Sequence, residues 1–173
     1  VAPHDLVVLD VTQTNQDSAS SAATATLLFQ GADKGLDSGD EEITSLTFVS
    51  TNQPATVTTT PGSLAYTEND PAPAIDTGLT LTDDSDSISG ATVSIGTGFE
   101  SAEDALVFVD QLGIFGFYNS VTGVLTLSGS TTVANYQTAL RSVAYLNSSD
   151  TPSTVPRMVS FVVDDGIDFS TVA

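Results

Sequence analysis

With 173 residues, 40% of them hydrophobic, the chain is long enough to bury a genuine core and too apolar to be disordered. Its 22 acidic residues against three basic ones give a net charge of −19, which repels phosphate backbones and anionic lipid and excludes nucleic acid and membrane insertion as partners. The absence of cysteine removes disulfides, thiolate zinc sites and cysteine nucleophiles together.

Ser and Thr together number 46, and the β-branched Thr and Val suit a pleated strand better than a helix. Residues 1–60 are expected to form a first, smaller β-region or part of a preceding module. Leu6–Leu9, Ala23–Phe29, Ile43–Val49 and Ala55–Val57 are its expected strands. Between the second and third lies a Gly-punctuated acidic loop, 31–42, whose Asp33, Asp37 and Asp40 do not have EF-hand spacing. Pro61-Gly62 is the expected hinge. Residues 61–173 form the second region, with strands expected at 63–67, 78–82, 90–95, 105–109, 114–118, 123–128, 142–146 and 157–163. Short strands about ten residues apart, separated by Gly, Asn or Asp, are the pattern of an antiparallel sandwich. One helix interrupts them. Thr132 can cap it, Val133, Tyr136, Ala139 and Leu140 share one face, and Arg141 complements the dipole in the last turn. No stretch approaches the roughly 20 apolar residues of a membrane-spanning helix. A start at Val1-Ala2-Pro3 and an end at Ser170-Thr-Val-Ala173 are expected of a piece of something longer.

Three segments carry the chemistry: Tyr66-Thr-Glu68-Asn69-Asp70-Pro71, then Leu81-Thr-Asp83-Asp84-Ser85-Asp86, then Phe117-Tyr-Asn119-Ser-Val-Thr122-Gly123-Val-Leu-Thr126. Their order and spacing resemble a cadherin-type calcium-binding repeat. The second region as a whole looks closer to the cadherin-like tandem repeats of large bacterial, RTX-type adhesins. The resemblance implies a cadherin/immunoglobulin-like antiparallel β-sandwich with one short helix and bound Ca2+. Glu68 matches the family's N-terminal ligand, with Asn69, Asp70 and Pro71 beside it. The paired aspartates correspond to Asp84 and Asp86, with Asp83 an alternative partner. The late aspartate before Gly corresponds to Asp164 or Asp165. The family's Leu-Asp-Arg-Glu segment is replaced here by the helix and by Asn147-Ser-Ser-Asp150, so one or two ions are expected rather than three. Calcium suits such a chain because it takes six to eight oxygen ligands. A salt-adapted, merely soluble acidic surface is the plainer reading of the same charge.

Catalysis has little support. His4 is the only histidine, and Glu100, Glu103 and Asp104 read as a solvated acidic loop rather than a glycosidase pair. The expectation is a non-enzymatic, monomeric, extracellular or cell-surface adhesion module. Its partners are neighbouring repeats of the same chain, with cell-surface or matrix ligands beyond them. The alternative is a carbohydrate-binding sandwich with structural calcium. Exposure of Tyr66, Tyr118, Tyr136 or Tyr145 on one face would favour that alternative, and burial of those rings would oppose it.

Overall fold

The computed structural model describes residues 52–67 and 70–173, together with the backbone of two short strands before them. Those two, β1 (Val7–Val8) and β2 (Thr26–Leu27), pair antiparallel and lie inside the strands expected at 6–9 and 23–29. The strand expected at 43–49 and the acidic loop at 31–42 lie outside the described residues. The chain divides into two compact units, Val1–Ser50 and Thr51–Ala173. The division falls ahead of Pro61-Gly62, because β3 (Thr56–Thr58) pairs with β4 (Thr80–Thr82) and so belongs to the second unit.

The second unit is all-β, antiparallel and sandwich-like, with one short helix. Its largest sheet has the order β10-β5-β8-β7, formed by β5 (Ser87–Ile95), β7 (Phe115–Asn119), β8 (Val124–Thr132) and β10 (Val159–Asp164). Alternation builds its inner face. Ala91, Val93 and Ile95 of β5, Leu125 and Leu127 of β8, and Phe161 and Val163 of β10 are all buried. Ile88 stands three residues before Ala91, yet it is buried too. The pairing is irregular there: between Ile88 and Gly90 the register with β8 shifts by one residue, the extra residue lying on β8 between Ser128 and Thr131. A second pair, β6 (Asp104–Val107) and β9 (Ala144–Asn147), adds Leu106 to the core. Residues 63–67, expected as a strand, are coil. They pass into a segment whose Pro73 carbonyl accepts from the Tyr145 amide, beside an isolated bridge from Ala74 to Ala144.

The helix α1 (Val133–Ser142) begins where the sequence places it, with the Thr132 hydroxyl accepting from the Asn135 amide at 3.2 Å. Tyr136, Ala139 and Leu140 are buried. The polar side of the helix has a second use. Gln137 accepts from the Leu81 amide at 2.9 Å, and Arg141 donates to the Leu79 carbonyl at 2.6 Å. These side chains, one turn apart, satisfy backbone groups of the β4 segment that no strand pairs. Among the described residues no helix is long and apolar enough to cross a membrane.

Candidate functional site

The start of β5 and the end of β10 lie at the same end of the large sheet, since Asp164 is paired with Gly90. The loop 83–86 enters β5 there, and 165–168 leaves β10 there. Asn52 and Gln53 join the two loops. The Asn52 amide donates to Asp165 at 3.0 Å and to Asp168 at 3.3 Å, while the Gln53 backbone N–H reaches both oxygens of Asp84 at 3.3 and 3.2 Å. Asp165 is buried and also accepts from the backbone N–H groups of Ile167 and Asp168, at 2.7 and 2.8 Å. The Asn52 amide and the backbone donors hold its carboxyl below the ordinary carboxylate range against the opposing effect of burial.

Asp83 accepts from the Ser85 amide and hydroxyl through one oxygen. Its other oxygen, Oδ1, is enclosed and has no partner among the described residues. Asp86 is exposed. Asp164 belongs elsewhere: adjacent strand residues face opposite sides, so it lies on the outer face of the sheet, its Oδ1 taken by the Gly166 amide at 2.8 Å. Glu68 lies outside the described residues. Asp70 is exposed, and its amide donates to Thr67.

At the other end of the unit sits an acidic cluster that sequence reasoning read as a solvated loop. Asp104 is only 3% exposed. It accepts from Tyr145 at 2.6 Å, Asn147 at 2.8 Å, the Glu100 amide at 2.8 Å and Arg157 Nε at 3.0 Å. Burial pushes its carboxyl up, but the bonds from Tyr145, Arg157, Glu100 and Asn147 outweigh that and hold it below the ordinary range. The Tyr145 phenol is raised to about 12 by burial and by its bond to this carboxylate. Tyr66 bonds the Asn147 carbonyl and meets the Tyr145 ring edge-on at 5.1 Å. A weak signal was present in the sequence: a strand-initiating aspartate with one of only three basic residues available to it.

The resting geometry limits what the first cluster does unaided. No group of three or more acidic, His or Cys side chains among the described residues converges closely enough to hold an ion. The donors to its carboxylates are an amide and backbone N–H groups. The donor set nonetheless fits a hard cation: carboxylate and amide oxygens from three loops, and one enclosed carboxylate oxygen without a partner.

Over 119 residues, 65% of this chain, the sequence is 37% identical to halomucin of Haloquadratum walsbyi, and the matched stretch is 1% of that protein. The chain is therefore similar to a short segment of a very large protein. No family model and no solved structure matches it.

Proposed function

We propose that the chain is a structural module of a very large extracellular or surface protein, stiffened by calcium at the end of the sheet where Asn52 bonds Asp165 and Asp168 and Gln53 bonds Asp84. The reading is carried by one observation. Adjacent residues at the start of the second unit, Asn52 and Gln53, tie two acidic loops together. Similarity to 1% of a protein whose name marks it as a mucin supports an extracellular, multi-module setting. Calcium would draw on Asp165 and Asp168, which share the Asn52 amide, and on Asp84, which the next residue holds, and would have to bring these carboxylates closer than they stand. It neutralises charge that hydrogen-bond donors only partly offset. Cell adhesion and contact with neighbouring repeats belong to the same proposal.

A tyrosine-based sugar platform has no support. The hydroxyls of Tyr66, Tyr118, Tyr136 and Tyr145 are all bonded within the fold, to Asn147, Asp104, Gly129 and Asp104. Thermal melting in calcium, magnesium and chelator tests the proposal. Calcium should raise the midpoint and magnesium should substitute poorly, because it demands tight octahedral geometry. A curve indifferent to calcium and chelator would remove the calcium reading.

A further inference from the structure

The outer face of the large sheet holds a groove of about 320 Å³ lined by backbone and side chains of β5, β8 and β10 and by Phe169. Its outward residues fall in two cross-strand rows that run on to β7 beside it. Phe169, Asp164, Gly90 and Ser128 lead to Phe115 in one, and Val162, Thr92 and Thr126 lead to Phe117 in the next. At about 4.8 Å per strand, the first row sets Phe169 and Phe115 roughly 19 Å apart. All three phenylalanines are exposed, at 68% for Phe169, 61% for Phe115 and 70% for Phe117.

The chemistry between these rings is polar. Thr92, Thr126 and Ser128 present hydroxyls, and Gly90 leaves the centre open. A Cβ at Gly90 would stand 4.0 Å from Asp164 Oδ2, so the carboxylate oxygen not bonded to Gly166 borders the gap. We propose that this groove binds a neutral oligosaccharide. Sugar rings have apolar C–H faces that stack on exposed aromatic rings and hydroxyl rims that bond to Thr, Ser and carboxylate oxygens. The volume lies at the lower bound of ordinary ligand sites. A net charge of −19 and a carboxylate in the groove exclude uronates and sulfated sugars. The sequence pointed to tyrosines as the platform, whereas the exposed rings are phenylalanines. The groove and the calcium site use different carboxylates, since Asp164 lies on the outer face and Asp165 is buried.

The test is an NMR titration of the full chain with cellotetraose, maltotetraose, mannotetraose and trigalacturonate, each at millimolar concentration and with chelator present. Expected are saturable shifts confined to Gly90, Thr92, Thr126, Ser128 and Asp164 with at least one neutral sugar and none with the uronate. Phe117→Ala and Gly90→Val should each weaken that binding about tenfold or more while leaving the melting curve close to that of the parent. The proposal is overturned by silence with every neutral sugar, by equal binding of the uronate, or by binding that Phe117→Ala leaves intact. Concentration-dependent shifts on this face without any sugar would instead identify a second copy of the chain as its occupant.

Discussion

Two acidic clusters occupy opposite ends of one small unit, and they are neutralised in different ways. Asp104 has a cation of its own in Arg157, with Tyr145 and Asn147 completing its shell. The cluster of Asp84, Asp165 and Asp168 has only amide and backbone donors. Of the chain's three basic residues, Arg157 serves Asp104 and Arg141 serves a backbone carbonyl, while Lys34 belongs to the first unit. A buried carboxylate needs compensation from inside the fold or from solution. Position decides which. Asp104 starts β6 and is enclosed by Tyr145, Asn147 and Arg157, whereas the other cluster stands on loops with Asp84 exposed.

The largest effect expected from this contrast is at the self-contained end. Asp104→Ala leaves the Arg157 guanidinium, the Tyr145 hydroxyl and the Asn147 amide facing a void, and should cost about 3–5 kcal/mol in denaturant unfolding. Added calcium should not restore it. A loss under 1 kcal/mol, in the range of an exposed pair, would mean that the network is ornamental.

Next in size is the calcium response. With the ion at about 100 times its dissociation constant, one site contributes roughly 2.7 kcal/mol. Asp165→Ala should abolish that gain, and Asp84→Ala should reduce it. Asp86→Ala should leave most of it, because Asp86 is exposed and its neighbour Asp84 makes the loop contact. Calorimetric titration of the three variants would reverse this ranking if the ion sat on the outer aspartates.

Acid should act on both ends. Asp104 and Asp165 have folded-state values below that of an unfolded aspartate, about 3.9. Their stabilisation is therefore complete well above that value and declines as pH falls through it towards the folded-state values. Arg157→Met should flatten the acid limb by removing one of the groups that lowers the Asp104 value; an unchanged limb would assign it to other carboxylates.

The smallest effect separates calcium from general salt adaptation. Molar potassium chloride in chelator should raise the melting point of the parent chain slightly by screening its loops. It should change the Asp104 network hardly at all, since both partners are largely shielded from solvent. Equality of potassium chloride and millimolar calcium would favour the salt-adapted reading.

Much of the fold was legible in the chain. Strand alternation located β5, β7, β8 and β10, and the spacing of Tyr136, Ala139 and Leu140 after Thr132 located the helix together with its cap. Both are local signals, readable because strand and helix periodicities arise from neighbouring dihedral angles. Residues 63–67 misled because their apolar members follow a strand-like pattern while their backbone finds no ladder partner. The candidate site was legible only by residue type. That Asn52 would bridge Asp165 and Asp168, or that Asp164 would turn outward, depends on which strand ends the sheet brings together.

By itself, the sequence determined an all-β chain with a capped helix, a large uncompensated negative charge and too few cations to offset it. Tertiary structure alone decided which aspartate received a cation. Arg157 lies 53 residues from Asp104, and only pairing of β5 with β10 and β6 with β9 puts them at one end of the sheet. It also decided that the tyrosine hydroxyls are bonded within the fold while Phe115, Phe117 and Phe169 face outward and Phe161 inward. Ring type does not determine facing; strand register does, because a shift of one residue exchanges the two faces.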